Sequence, residues 1–373
     1  MRWWRVLAAC AFLHVAVPLP ASAQPACAIP LPATSHDIAL QADVGDRLRK
    51  VHSLADGHGV KVAVIDTGVE PVPRLGEIID GGDLLAEGST ALADCDAHGT
   101  VVAGIIRAVD TGDGVVGVAP GTQLIAVRQT SSRNQQPEEE LGGTLASLAE
   151  AIHRSIDLGA QVINVSVVSC LPPAVAPDLA PLDAALARAE DSGVVVVAAA
   201  GNESPRCPRG STVLPAARPS VVAVAAHDSP DSLSSYSLDA PGALSAAGLV
   251  EAGVTGAGLS AGLESGGGVA GFEGTSFAAP VVSGVVALLR QRHPEASPAQ
   301  LREMLSASVD PTTGAVAPER IVGMLAPTDG NKRGLTVARA QVEGAPVGER
   351  LGYGLAIAAG VAVLALAARG ARR

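Results

Sequence analysis

The sequence predicts an α/β fold in which a mainly parallel sheet lies between helices, with one C-terminal transmembrane helix added. Three observations predict it. Short runs rich in β-branched residues alternate with helical stretches along the body of the chain, as buried parallel strands and their crossover helices do. Of the 373 residues 48% are hydrophobic but only 2% aromatic, so the core is to be packed from Val, Leu, Ile and Ala. Near the C-terminus, Leu351 to Ala368 form 18 residues without a charge.

In chain order, Arg2 and Arg5 precede the apolar stretch Val6 to Val17, and Ala21-Ser22-Ala23 supplies the small residues of a signal-peptidase site. Residues 1–23 therefore read as a signal peptide cleaved after Ala23. Residues 24–45 form an N-terminal extension, too short to fold alone. The body, 46–325, holds five predicted strands: Val60 to Ile65, Gln123 to Val127, Gln161 to Ser166, Gly193 to Ala200 and Ser220 to Ala226. Helices are predicted over Gly99 to Arg107, Leu141 to Leu158, Leu182 to Ser192, Ser276 to Arg292 and Pro298 to Ser308. The polar run Arg133 to Glu140 reads as a solvated loop, and residues 326–350 as a linker. The segment 351–368 gives about 27 Å of helix, enough to span a bilayer core of about 30 Å. Arg369, Arg372 and Arg373 follow it, so the tail 369–373 is expected in the cytoplasm and the body outside the cell membrane.

A net charge of −11 argues against a basic face and hence against nucleic acid as a partner. Export alters the reading of the cysteines. Cys10 leaves with the signal peptide, and Cys27, Cys95, Cys170 and Cys207 remain in an oxidising compartment, with no C-x-x-C pair to suggest a metal. Two disulfides are expected among three possible pairings; if neighbours in sequence pair, they are Cys27–Cys95 and Cys170–Cys207. No compact carboxylate cluster signals calcium, and no cofactor is expected.

In parallel sheets, functional groups collect at the carboxyl ends of strands. Asp66 follows the strand Val62 to Ile65 directly, His98 opens a helix of small apolar residues, and Asn202 follows the apolar strand ending at Ala200. Each alone is an ordinary turn or cap residue, and Ser276 alone is an N-cap; starting its helix would leave Oγ free to face His98, and Pro280, near the helix start, would forfeit at most the first intrahelical bond. Together they form a chemical set. A hydroxyl needs an imidazole to take its proton, and the imidazole needs a carboxylate to fix its tautomer. The oxyanion formed on attack needs fixed donors, which an Asn amide and a serine N–H at a helix start can supply. The chain order Asp, His, Ser is one in which such triads occur.

The segments KVAVIDTGV, HGTVVAGII, GVAPGTQLIAVRQ, VINVSV, VVVVAAAGNES and GTSFAAPVVSGVVALL resemble, in order, the hallmark segments of the subtilisin-like serine proteases (peptidase family S8) from Val44 to Leu325. The flanking cysteines and the single C-terminal apolar segment resemble the mycosins, membrane-anchored subtilases associated with type VII secretion. The resemblance implies a subtilisin-like three-layer fold. It also implies that Asp66 orients the imidazole, His98 is general base and then acid, Ser276 forms the acyl-enzyme, and Asn202 donates to the oxyanion. Ser166, Val167 and Val168 correspond to the strand that pairs with an extended substrate. Val168 and Ser169 stand where many subtilisins have glycines, which implies a narrower specificity pocket. The implied partners are protein or peptide substrates and the type VII secretion membrane complex, in which a mainly structural role is the alternative. The extension is expected to stay with the mature protein, held by Cys27.

Overall fold

Period-two burial along the central strands sorts their side chains onto two sheet faces, each closed by its own helices. The computed structural model describes residues 27, 31–32, 34–131, 143–171, 176–229, 232–238, 243–247, 249–250, 269–270, 272–309 and 314–321. The expected signal peptide, the run 133–140, the linker, the transmembrane segment and the tail lie outside the described residues. Among the described residues no helix is long and apolar enough to cross a membrane.

Chain order runs β1 (Leu31–Pro32), α1 (Ser35–His52), β2 (Lys61–Asp66), β3 (Ile78–Asp83), α2 (His98–Arg107), β4 (Gln123–Arg128), α3 (Leu145–Asp157), β5 (Val162–Val165), β6 (Ser169–Leu171), α4 (Ala180–Asp191), β7 (Val195–Ala199), β8 (Thr212–Leu214), β9 (Val221–Ser229), β10 (Ser232–Leu233), β11 (Leu244–Ala247), β12 (Leu249–Val250), β13 (Val269–Ala270), β14 (Phe272–Glu273), α5 (Thr275–Arg292), α6 (Pro298–Ser308) and α7 (Pro318–Ile321). The main sheet has the order β10-β9-β7-β5-β2-β4-β3, with β11 also beside β9. Its pairings are parallel except that of β10, which turns back on β9. Val62, Val64, Leu124, Ala126, Val195 and Val197 pack with α2, α5 and α6, while Ala63, Ile65, Ile125, Val127, Ile163 and Val165 pack with α3 and α4. The predicted three-layer α/β architecture is therefore present. The order of strands reverses between β2 and β5, and in open parallel sheets such a switch point opens a crevice at the carboxyl ends. Asp66 ends β2 and Ser166 follows β5 at that crevice.

Two of the elements beyond those predicted shape the domain. β3, Ile-Ile-Asp-Gly-Gly-Asp, hides an edge strand behind polar residues, and its pairing with β4 is irregular between Asp80 and Asp83. Helix α1 runs through the boundary expected after residue 45, burying Gln41, Leu48 and Val51 on one face. Arg49 on α1 binds the Gly114 carbonyl at 3.0 Å and Asp110 at 3.2 Å. The extension is thus continuous with the domain. Cys27 is bonded to Cys95, and β1 pairs antiparallel with β13. A second disulfide, Cys170–Cys207, ties β6 to the loop after Asn202 with a Cα–Cα distance of 5.4 Å. Both bridges join sequence neighbours.

Candidate active site

Four segments meet at the crevice. Asp66, the last residue of β2, has no exposed surface. Its Oδ1 accepts the Thr67 amide and faces His98 Nδ1, each at 2.7 Å. A carboxylate only accepts, so Nδ1 carries the hydrogen and Nε2 keeps its lone pair for another proton. His98 is the first residue of α2, preceded by Ala97 in the left-handed conformation at φ 63°. Its side chain is 26% exposed, and its ring packs on Phe277 with centroids 5.0 Å apart. Burial pulls the imidazolium down, but the charge and hydrogen bond of Asp66, with the charges of Asp94 and Asp96, outweigh it and hold His98 above its ordinary 6.5.

The first turn of α2 leaves backbone N–H groups without helical partners. Gly99 N donates to Thr67 Oγ1 at 3.0 Å, and Thr100 N donates to Asp94 Oδ2 at 2.8 Å. Asp94 is a buried acceptor hub: Thr100 Oγ1 also donates to Oδ2 at 2.6 Å, and Thr67 Oγ1 to Oδ1 at 2.8 Å. Burial pushes the Asp94 carboxyl up, against the pull of these donors. Gly99 passes so close that a Cβ would lie 2.0 Å from the Gly68 carbonyl oxygen, so no other residue lets α2 start against the β2 turn. Asp94, Thr67 and Thr100 are not singled out in the sequence, where the predicted helix begins only at Gly99. The spacing of an acid four residues before the histidine is the only signal they leave.

On the facing side, Gly274 (φ 145°) is the N-cap of α5, and Ser276 is the second helical residue, not the cap. Asn202 is exposed beside it. Thr275 N donates to Asn202 Oδ1 at 3.0 Å, which identifies that atom as oxygen and turns Nδ2 toward Gly274. A Cβ on Gly274 would meet that Nδ2 at 2.8 Å. Phe277 N donates to the Gly274 carbonyl, so of the first three amides of α5 the helix leaves that of Ser276 unused. Asn202 Nδ2, beside Gly274, and the Ser276 N–H are thus both donors at the start of α5.

The structure differs from the expectation that Ser276 Oγ lies free to face His98. The hydroxyl donates to the Ser166 carbonyl at 2.9 Å, and Ser166 Oγ donates back to the Ser276 carbonyl at 2.7 Å. No hydrogen bond joins Ser276 to His98 among the described residues; such bonds are often absent until substrate binds. Pro280 lies deeper in α5 than expected, because the helix begins at Thr275: lacking an N–H, it forfeits not the first intrahelical bond but a later one, that of the Ser276 carbonyl. Val167 and Val168 are half-buried and pack on the hydrophobic core. Among the described residues no group of three or more His, Cys, Asp or Glu could hold a metal.

A buried Asp–His pair, a serine at a helix start and a neighbouring amide, set at the switch point of a parallel sheet, define the serine hydrolases of the subtilisin type. Residues 57–336 match the subtilase family, and the chain belongs to that family of subtilisin-like serine endopeptidases. Within it, the chain is 38% identical over 288 residues to Mycosin-4 of Mycobacterium tuberculosis, covering 70% of this chain and 62% of that protein. It thus spans less than two thirds of that relative's length. The fold is similar to the crystal structure of MycP1 from the ESX-1 type VII secretion system, with a TM-score of 0.72 and 31% identity over 82% of this chain and 91% of that one. It is also similar to a chain in the structure of an intact ESX-5 inner membrane complex, with a TM-score of 0.68 and 27% identity over 92% of this chain and 94% of that one.

Proposed function

We propose that this protein is a membrane-anchored serine endopeptidase that cuts exported proteins at the outer face of the cell membrane, with Asp66, His98 and Ser276 as its triad. His98 Nε2 takes the proton of Ser276 Oγ as the oxygen attacks the scissile carbonyl, and Asp66 holds the imidazolium. Asn202 Nδ2 and the Ser276 N–H receive the oxyanion. His98 then protonates the leaving amine, and water repeats the cycle on the acyl-enzyme. Ser166 to Val168 bind the substrate as an added strand. The single observation that supports this most is the 2.7 Å contact of His98 Nδ1 with the buried Asp66, which leaves Nε2 as the basic nitrogen. The uncharged segment 351–368 supplies the anchor in this reading.

A second role is favoured by the likeness to a chain of the ESX-5 inner membrane complex. In it the protein is also a structural subunit of a type VII secretion membrane complex, on the side outside the cytoplasm. The two roles are separable. An alkyl fluorophosphonate labels the wild-type protein and not Ser276→Ala if the triad is assigned correctly. Secretion retained in Ser276→Ala but lost on deletion supports the structural role, whereas equal secretion in all three strains excludes it.

A further inference from the structure

The reciprocal pair of bonds between Ser166 and Ser276 is not used by the triad, and it is unusually well supported. Ser166 Oγ accepts from Asn164 Nδ2 at 2.8 Å, and Asn164 Oδ1 accepts from Ser283 Oγ at 2.8 Å. Asn164 and Ser283 have no exposed surface, and Ser166 is 3% exposed. A polar chain that deep, with each member satisfied, holds its parts in one arrangement. It runs from β5, through the segment beside the crevice, to the third turn of α5. It ends on the Ser276 carbonyl, which is open to a side-chain donor because Pro280, four residues on, has no N–H.

The other half of the clasp places the nucleophile's own hydrogen on the Ser166 carbonyl. That carbonyl lies on the segment along which a substrate strand would pair, and an added strand presents backbone N–H groups to such acceptors. For Ser276 Oγ to give its proton to His98, its bond to Ser166 must break. A buried carbonyl left without a donor costs free energy, but one that receives a substrate N–H in exchange does not. The swap is therefore nearly balanced when substrate is present and unfavourable when it is not.

We propose that Asn164 and Ser283, acting through the Ser166 hydroxyl, are positioning residues that hold the Ser166 carbonyl as a shared acceptor, bound by Ser276 Oγ–H in the free enzyme and by a substrate backbone N–H in the complex. Docking of substrate thereby releases the nucleophile to His98. This rests on the triad assignment above. No covalent step beyond that assignment is added.

The test uses full-length protein in detergent and two peptidyl diphenyl phosphonates identical except that one carries an N–H beside the phosphorus-bearing carbon and the other is N-methylated there. The saturating inactivation rate and the half-saturating concentration are measured for each. An exchanged hydrogen bond corresponds to about a tenfold change, so the N–H probe should inactivate about tenfold faster at saturation. Ser283→Ala should lower that saturating rate by a similar factor with little change in half-saturation, and Ser283→Thr should restore it. If N-methylation changes only half-saturation, the carbonyl binds substrate without releasing the nucleophile and the proposal is wrong. If Ser283→Ala lowers only the melting temperature, the chain is structural and the proposal is equally wrong. The wild-type probe pair decides the question even where Ser283→Ala does not fold. Labelling that persists in Ser276→Ala would instead overturn the triad assignment itself.

Discussion

Replacing Asp94 by Asn tests whether the start of α2, and with it His98, depends on a buried acceptor. Asp94 receives Thr67 Oγ1 and the Asp96 amide at Oδ1, and the Thr100 amide and hydroxyl at Oδ2. Both hydroxyls are already committed as acceptors, Thr67 Oγ1 to Gly99 N and Thr100 Oγ1 to Glu70 N. An Asn side chain has one acceptor and one donor end, so in either orientation its NH₂ faces two donors. The milder orientation places it at Oδ1, where the longer Asp96 bond of 3.2 Å is lost and Thr67 must reorient. Losing a charge-assisted bond and orphaning a buried amide costs about 3 kcal/mol. In a domain of residues 57–336 that lowers the melting temperature by about 5 °C. Thermal unfolding of oxidised protein followed by circular dichroism gives the shift, and peptide hydrolysis gives kcat, which should fall because His98 loses a fixed first turn. A variant melting within 2 °C of wild type with unchanged kcat would refute the role of Asp94 as the organiser of α2.

Four other outcomes are expected. Asn202→Asp keeps the acceptor for Thr275 N but removes the oxyanion donor, so kcat should fall by at least about 10²-fold with the fold retained, read from peptide hydrolysis and circular dichroism. His98 sits above its ordinary 6.5, and the base must be neutral, so the acid limb of kcat/KM should lie above pH 6.5 and move down in Asp66→Asn. The same shift makes the Asp66–His98 pair stabilise the fold fully below pH 6.5, a contribution lost as pH rises through the raised folded value, measurable by denaturation across that range. Replacing Cys170 and Cys207 together by Ala opens a loop spanning 37 positions and should cost about 2–4 kcal/mol in urea unfolding.

Much of the sheet was legible because β2, β4, β5, β7 and β9 are continuous apolar runs that a parallel sheet buries on both faces. β3 was not, since two glycines and two aspartates in six residues mask its pairing with β4. α1 was obscured by its charges, although Gln41, Leu48 and Val51 lie on its buried face. At the site, Asp66, His98, Asn202 and Ser276 could be found because their chemistry is complementary at four strand or helix ends. The roles proposed for them rest on residue types and on the family resemblance. The Asp94 hub and the Asn164–Ser283 chain need geometry, because Thr, Ser and Asn are ordinary residues until folding places them in contact. The cap assignment of Ser276 failed for a related reason: φ 145° at Gly274 lets the helix begin one residue earlier, with a carbonyl from another segment taking the Ser276 hydroxyl.

The N-terminal extension is fastened twice, by Cys27 to the residue three before His98 and by β1 to β13, six residues before Ser276. A protease cut anywhere between Pro32 and Asp56 would therefore sever the backbone without separating the pieces. The clipped and intact forms would comigrate until a reductant is added, so size on a non-reducing gel says nothing about whether the chain has been processed.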